Sequence, residues 1–413
     1  MKKSNIYGFI FIGSIVGYPL VAGISSASGL SNNLMSLLLR VAIAAWSFYI
    51  ILDGLFLAKK MMQKIMLLTA LIFCVGYVIR LYFDLFIFNH ELSKNHEYYW
   101  IWFIGGCFLP FLALAIGVRK ELDWSKIFNN FYCVSIVAGV LVMLNANSFV
   151  GGDFGGYDSG RLRLDVLNPI SLGHLGGTIF LIATWRLFFS GEFKASSRLI
   201  FYFGVVLGLY LLIASNSRGP IVAVFFGVLV AFFATKLKGK IFILMSIILF
   251  SLVVPNIMIY MEEGLGITVY SRFFGQSFFQ ETTVVERSGF YAVAASSIFE
   301  NIIFGAGVEG GNLESYPHNV IIEAFLSVGI FFGTVFLILL SLGLVVCFRV
   351  SKNYPQLLWV GMLCMQYIVA AQFSGAIYAS PNFWAALGVL TFLSRNLISQ
   401  KTFRPLNERS KAL

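Results

Sequence analysis

Residues 319–348 have the sequence NVIIEAFLSVGIFFGTVFLILLSLGLVVCF, in which Glu323 is the only charged side chain. A run of about 20 apolar residues is long enough to cross the hydrocarbon core of a bilayer as a helix. An acidic group about one turn inside such a helix is costly in lipid, so Glu323 is a candidate functional residue. The stretch therefore predicts a membrane protein with polar chemistry near one end of a span.

The composition extends this prediction to the whole chain. Of 413 residues, 59% are hydrophobic and only 12% are charged, far from the average of soluble proteins. Apolar windows predict about twelve spans. The predicted spans are 7–28, 34–58, 65–88, 99–118, 127–147, 169–190, 199–214, 219–235, 241–261, 319–348, 356–373 and 380–396. The expected fold class is all-α, a polytopic integral membrane protein whose residues 1–413 form a single transmembrane domain.

The basic residues predict the orientation. Lys and Arg accumulate in short cytoplasmic loops, and most of the 29 basic residues do so if both termini are cytoplasmic. The net charge of +10 is thus an orientation signal, and no basic run interleaved with aromatics indicates nucleic acid. Eight basic residues do not lie on the predicted cytoplasmic side, and all but one of these exceptions are arginine. The planar guanidinium of arginine suits binding to phosphate or carboxylate. The exceptions are Arg40, Arg80, Lys94, Arg161, Arg163, Arg218, Arg272 and Arg287.

The N-terminal segment, with Lys2 and Lys3 before an apolar stretch, fits either a cleavable signal peptide or an uncleaved first span. The length of the apolar run and the spans that follow favour the uncleaved span. The five cysteines all fall inside predicted spans without CxxC spacing, so we expect no disulfide framework, no metal site and no cofactor.

Two loops on the predicted outer side are substantial, 148–168 and 262–318. Within the second, Arg287 to Glu300 carries apolar residues at helical spacing, which predicts a short amphipathic helix on the outer leaflet. The alternative is an ordinary loop helix that packs on the bundle.

Three predicted spans begin at this outer side with clear start signals: Asn168-Pro169, Ser217-Arg218-Gly219-Pro220 and Pro317-His318-Asn319. Asn or Ser caps and an early Pro are typical of a helix N-terminus. The unpaired N–H groups and the positive dipole end favour anions there. With arginines beside them, these starts predict a site able to hold a pyrophosphate without a metal.

Each basic candidate also has a plainer explanation. For Arg218 the sequence favours a role in the site over contact with lipid headgroups, whereas Arg161 and Arg163 are explained equally well by pairing with Asp158 and Asp165 in a solvated loop.

His318 on its own fits an interfacial histidine, but it is followed by Asn319 and Glu323, which share one helix face. These neighbours favour a role for His318 as a general base. Arg80 and Asp84, four residues apart, are expected to form a structural ion pair inside a span.

Taken in order, these motifs resemble the O-antigen ligase/polymerase superfamily of bacterial envelope enzymes, over residues 160–335. The matching segments are Arg161-Leu162-Arg163, Asn168-Pro169, Ser215-Asn216-Ser217-Arg218-Gly219, Glu286-Arg287-Ser288-Gly289-Phe290-Tyr291, Gly305-Ala306-Gly307-Val308, and Pro317-His318-Asn319 with Glu323 and Gly329.

The resemblance implies a GT-C-like fold in the bacterial inner membrane with its active site facing the periplasm. It implies metal-independent, inverting glycosyl transfer from an undecaprenyl-pyrophosphate-linked glycan, with a chain-length regulator and a flippase as further expected partners. The roles it implies are catalytic for His318, Arg218 and Arg287, and substrate-binding for Arg161, Arg163, Asn168, Arg272, Tyr316, Asn319 and Glu323.

Polymerase and ligase differ in the acceptor of the glycan. The acceptor of a polymerase is another lipid-linked repeat unit, and that of a ligase is the sugar of the lipid A-core. Two features favour the polymerase. The spacing Gly329-Ile330-Phe331-Phe332-Gly333 departs from the Gly-x-x-Gly of ligase-like members, and the segment 372–378 is more similar to polymerases. A flippase or other transporter is an alternative of another class, and it predicts polar groups near the bilayer midplane and repeat symmetry.

Overall fold

The computed structural model describes residues 2–54, 61–90, 92–118, 122–148, 162–164, 166–190, 195–265, 270, 274, 282–310 and 316–395. The described residues up to Asn145 contain six α-helices. They are α1 (Lys3–Ser28), α2 (Asn32–Gly54), α3 (Met61–Tyr82, continued by a π turn over Phe83–Ile87), α4 (His96–Trp100), which runs through a π segment (Ile101–Phe108) into α5 (Leu109–Ile116), and α6 (Trp124–Asn145).

The second half is also helical. Its helices are α7 (Pro169–Phe188), α8 (Ala195–Ala214), α9 (Arg218–Ala234), α10 (Leu237–Leu265), α11 (Thr282–Glu300), α12 (Val320–Asn353), α13 (Leu358–Ser374) and α14 (Pro381–Ser394). Single 3-10 turns cover Val308–Gly310, Pro355–Leu357 and Ile377–Ala379. The one described strand pair is β1 (Asn147–Ser148) with antiparallel β2 (Leu162–Arg163).

The predicted all-α polytopic fold is confirmed. Eight of the described helices are long and apolar enough to cross a membrane. Each of the predicted spans contains helix, and the boundaries differ by a few residues, as where α12 extends to Asn353. The exact number of crossings stays a prediction, because α7, α8, α9 and α14, which cover four of the predicted spans, are not among these eight.

The core lies around α13 and α14. The most hydrophobic window of α13 is 78% buried, whereas that of α10 is 18% buried. Trp359 and Trp384, one on each of the two core helices, are among the largest fully buried side chains. Many apolar side chains of α10, such as Leu249 and Leu252, are exposed, as expected for a helix whose solvent is lipid rather than water.

The later part of a turn between α11 and α12 packs into the bundle, since residues 305 and 307–310 are buried whereas 301–304 are exposed. Gly329, nine residues into α12, packs its backbone against Ile303 and Gly305 of this turn. Nine helical residues correspond to about 14 Å along the axis, so the turn lies well below the start of α12. We call residues 301–310 the inserted turn.

The inserted turn is possible because α12 breaks where it passes. Gly329 has φ 72° and ψ −172°, which is not helical. The amide of Ile330 donates to the carbonyl of Ile302 at 2.8 Å, and the carbonyl of Leu326 accepts from Ala306 at 2.7 Å. Helix α12 thus exchanges internal hydrogen bonds for bonds to the turn, which leaves these backbone groups paired away from water.

The predicted ion pair of Arg80 with Asp84 is confirmed, with Nε to Oδ1 at 2.9 Å. Its two members also hold the inserted turn. Arg80 donates to the carbonyls of Phe304 and Gly305 at 3.2 and 3.1 Å, and the fully buried Asp84 accepts from the amide of Val308 at 2.7 Å. The pair is therefore structural, as expected, and stabilises irregular backbone inside the bundle.

The predicted helix over Arg287 to Glu300 is present as part of α11. Ala294 is fully buried and Ile298 is half-buried, whereas Val293 is exposed. Past the end of the helix, Ile303 and Phe304 are strongly exposed apolar side chains. The helix therefore packs one face on the bundle and continues into the inserted turn.

Replacing Gly329 with Ala should destabilise the protein. A Cβ at this position overlaps the carbonyl of Ile303, and a non-glycine residue at this φ costs about 1–3 kcal/mol. We expect Gly329→Ala to lower Tm in detergent by several degrees. Gly106→Ala is the matched control, because that position is helical and open. Equal Tm values for both variants would contradict the described break.

Candidate functional site

Three helices begin at one end of the bundle, which we call the capped end after Asn168, Ser217 and Asn319. The side chain of Asn168 accepts from the amide of Ser171 at 2.7 Å. That of Asn319 accepts from the amides of residues 321 and 322, both at 3.0 Å. Ser217 occupies the N-cap position of α9 with extended backbone, but its hydroxyl donates to the carbonyl of Ser215 instead of capping the helix.

Close contacts bring the three starts together. Gly173 of α7 faces Ser215 and Pro220 at the start of α9, where a Cβ would not fit. Gly219 lies against Phe373 at the end of α13. The side-chain amide of Asn319 donates to the carbonyl of Gln372 at 3.1 Å. The end of α13 is thus the element on which the starts of α9 and α12 meet.

His318 lies at the turn into α12. Its φ of 55° is in the left-handed region, which is uncommon for a residue with a side chain. Its half-buried ring is 4.4 Å from the ring of Tyr316, centroid to centroid. A residue held in such a conformation next to a capped helix start is a recognised feature of functional sites.

Glu323 is fully buried one turn below Asn319. One carboxylate oxygen accepts from the amide of Ile377 at 2.9 Å, and the other lies 3.5 Å from the Tyr77 hydroxyl, which donates to it. Glu323 therefore holds the loop between α13 and α14, residues 375–380. This arrangement gives it a positioning role, and its predicted contact with substrate stays a prediction.

Glu309, in the inserted turn, was not singled out by sequence reasoning. It is buried, and its backbone has a φ of 59°. Its carboxylate accepts from the Ser93 amide and hydroxyl at 2.9 and 2.8 Å, from the Tyr99 hydroxyl at 2.8 Å and from the Tyr378 hydroxyl at 3.0 Å. A carboxylate with four donors is well satisfied, so Glu309 joins three separate segments of the chain.

Tyr378 connects the two buried carboxylates to the histidine. It belongs to the 375–380 loop that Glu323 holds, donates to Glu309, and its ring is 6.1 Å from that of Tyr316. Burial raises the pKa of the Tyr378 hydroxyl, and the Glu309 carboxylate raises it further. Burial also raises the pKa of Tyr316. Both phenols therefore stay protonated at neutral pH and act as neutral donors.

The predicted arginines lie differently. Arg218 is the first residue of α9 and is half-buried at the capped end. Arg287 lies in α11 and Arg163 in β2, and for these two the structure describes only the backbone. Arg161 and Arg272 lie outside the described residues. The structure thus brings Tyr316, His318, Asn319 and Glu323 together, and places Arg218 and Asn168 on neighbouring helix starts.

Two further residues gain partners that the sequence did not reveal. The guanidinium of Arg40 lies 3.7 Å from the centroid of the Trp102 ring, a cation–π contact. His174, in the second turn of α7, is buried beside Tyr367, with ring centroids 6.1 Å apart. The glycines on both sides of Glu309 were the only local sequence signal for that residue, since glycine often lies next to unusual backbone conformations.

Chemically, the capped end combines three helix N-termini, which favour anions, with an imidazole at the start of one of them. An imidazole titrates near neutrality and can accept a proton from a hydroxyl. The arrangement suits a reaction in which an anionic leaving group separates as a hydroxyl attacks.

Comparison with known protein families supports this interpretation. Residues 203–338, about a third of the chain, match the family model described as O-Antigen ligase. This match confirms the resemblance to the O-antigen ligase/polymerase superfamily and does not distinguish the two activities. It includes Arg218, Arg287 and His318 but not Asn168. No curated protein and no solved structure matches the chain, so the GT-C-like fold stays a prediction.

Proposed function

We propose that this protein polymerises undecaprenyl-pyrophosphate-linked repeat units of O-antigen, or of a related surface polysaccharide, on the periplasmic side of the inner membrane. The observation that carries the proposal is the geometry around His318. The histidine lies at a helix start capped by Asn319, beside Tyr316, at the same end of the bundle as the start of α9 with Arg218.

The proposed reaction is an inverting transfer without a metal. The acceptor hydroxyl oxygen attacks the anomeric carbon of the donor sugar as the bond from that carbon to the pyrophosphate oxygen breaks. The hydroxyl proton passes to the imidazole of His318, and the lipid pyrophosphate leaves with the bonding electrons. Arg218 and Arg287 are the cations proposed to stabilise that charge, because fixed donors are most effective where charge develops.

The helix N-terminus supports the role of His318. A positive dipole end disfavours the imidazolium, so it favours a neutral ring that is able to accept a proton. Glu323 and Glu309 are each satisfied by other donors, so neither is required as the base. Their proposed contribution is to hold the 375–380 loop, which places Tyr378 beside Tyr316.

A transporter is the alternative of another class. It predicts polar groups near mid-depth, and Thr178 and Gln366 are two of the described polar residues there. Thr178 and Gln366 lie about 12 to 15 Å from the ends of their helices, but they are neutral and bonded to each other at 3.3 Å. The buried acidic side chains Glu309 and Glu323 instead accept from the Tyr378 hydroxyl and the Ile377 amide of the loop beside Tyr316, which favours an enzyme there.

A deletion strain tests polymerase against its alternatives. Loss of a polymerase should leave lipopolysaccharide core that bears one repeat unit. Loss of a ligase should leave bare core, with repeats accumulating on the lipid carrier, and loss of a flippase should trap units inside the cell. A silver-stained gel of lipopolysaccharide, with extraction of the carrier-linked pool, distinguishes the three patterns. An unchanged ladder in the deletion strain would contradict all of them.

His318→Ala should abolish elongation. Loss of a general base typically lowers the rate by about 10²–10⁴. The measurement is elongation of lipid-linked repeats by purified protein in nanodiscs, at equal protein level. His96→Ala is the control, because His96 is an exposed histidine on α4. If His318→Ala elongates repeats within a few-fold of the wild-type rate, the histidine is structural.

Lysine should be a poor substitute for Arg218, because an ammonium point charge replaces a guanidinium that can donate two parallel hydrogen bonds. Arg218→Lys should therefore lower activity. By analogy with loss of one oxyanion-hole donor, we expect transition-state stabilisation to fall by about 2–4 kcal/mol. The same elongation assay measures the effect, with Arg198→Lys at the exposed start of α8 as the matched control. Near-wild-type turnover in Arg218→Lys would rule out a pyrophosphate clamp at this position.

A further inference from the structure

We propose that a cleft between α1, α7, α13 and α14 binds one sugar ring of the acceptor glycan through His174. This inference rests on the proposed function, whose substrates are glycans. The cleft, which we call the His174 cleft, includes Tyr18, Ser171, His174, Tyr367, Ser380 and Asn382 in its wall.

His174 itself is the first argument. Its side chain is buried, with 8% of the residue exposed, yet neither ring nitrogen has a hydrogen-bond partner among the residues that the structure describes. Its backbone carbonyl is bonded to Gln366 at 2.9 Å, so the residue is firmly placed. A neutral imidazole offers one donor and one acceptor, and buried polar groups in proteins are nearly always paired. The ring is thus positioned to bind a ligand group that both donates and accepts.

The other wall residues indicate the class of ligand. Among the residues that the structure describes, the wall contains hydroxyl, amide and aromatic side chains beside aliphatic ones, and no Lys, Arg, Asp or Glu. A pyrophosphate would need cations, and an acyl chain would not need an unpaired imidazole. A hydroxyl group donates and accepts, and aromatic rings suit the apolar face of a sugar. The lining therefore favours a neutral, polyhydroxylated ligand.

Several wall groups are already fixed in place. The Tyr18 hydroxyl donates to the carbonyl of Val166 at 2.6 Å, and the Asn382 amide donates to the carbonyl of Ile15 at 3.2 Å. The Ser380 hydroxyl accepts from the amide of Ala376 at 3.1 Å, which leaves its proton to donate. Groups held this way are pre-organised, which lowers the entropy lost on binding.

The cleft is larger than the space that a single bridging water needs. Its volume is about 160 Å³, roughly ten times the space that one water needs. The cleft therefore has room for a ring-sized ligand beside His174.

The location connects the cleft to the reaction. Ser374, Gly375, Ala379 and Ser380 belong to its wall. The loop they border also carries Tyr378, which faces Tyr316 and Glu309. One loop thus separates the cleft from the residues around His318. A ring in the cleft would belong to the acceptor, next to the sugar whose hydroxyl reacts, because the donor pyrophosphate is assigned to the arginines.

Binding of a released glycan tests the inference. The probe is the oligosaccharide repeat unit freed by mild acid from the lipid-linked pool of the deletion strain, titrated calorimetrically into full-length protein in nanodiscs. We expect His174→Ala to weaken Kd at least ~10-fold, because it removes both hydrogen-bonding nitrogens. His174→Gln, which keeps a donor and an acceptor, should recover most of the affinity. His96→Ala is the matched histidine control.

A second variant guards against misfolding of His174→Ala. Ser171 lies at the first turn of α7 and lines the cleft, so Ser171→Phe should fill the cleft and prevent probe binding while leaving Tm near wild type. If His174→Ala and Ser171→Phe both bind the probe as tightly as wild type, the cleft is a solvent-filled structural feature and the inference is wrong.

Failure of the inference is distinguishable from failure of the proposed function. If wild-type protein elongates repeats but both cleft variants bind and elongate normally, the function stands and the cleft assignment falls. If wild-type protein neither elongates repeats nor binds the probe, the function itself is wrong and the cleft assignment falls with it. Loss of probe binding in both variants, with donor binding retained, supports the cleft assignment.

Discussion

The structure around the candidate site depends on the requirement that backbone polar groups inside a bilayer be paired within the protein. The inserted turn would violate this requirement, since its chain is irregular and lies well below the start of α12. Arg80 and Asp84 meet it by bonding two carbonyls and one amide of the turn, and the break at Gly329 supplies further partners. An ion pair inside the membrane is costly on its own, and here each charge is used by backbone as well as by its partner.

From this anchored turn, the buried carboxylates connect to the site. Glu309, in the inserted turn, accepts from the hydroxyl of Tyr378 in the 375–380 loop. Glu323 accepts from the amide of Ile377 in the same loop. The loop is thus held from two directions by acids on different segments. A half-satisfied buried network would be worse than an apolar core, so replacement of either acid should disturb the loop as a unit. Through Tyr316, that unit borders His318.

The two sides of the 375–380 loop differ chemically. One side has the protonated phenols, the buried acids and the histidine at a helix start. The other side is the neutral His174 cleft. A glycosyl transfer between two glycans needs both kinds of surface, one for the departing charge and the proton, and one for neutral hydroxyls. The proposed polymerase function thus uses the whole capped end, although the family match covers only residues 203–338.

The sequence by itself determined the features that are local. Apolar runs located the helices, the Asn and Pro pairs located the starts of α7 and α12, and the spacing of Arg80 and Asp84 indicated their ion pair. These succeed because helix periodicity, capping and i,i+4 contacts involve residues near in sequence. Only the tertiary structure decided the rest. The break at Gly329 arises because a segment more than twenty residues earlier supplies its partners, and Glu309 is bonded to Ser93, more than two hundred residues away. His174 looks like any other residue of an apolar helix until α1, α13 and α14 enclose it, since packing between distant segments leaves no periodic signal in the chain.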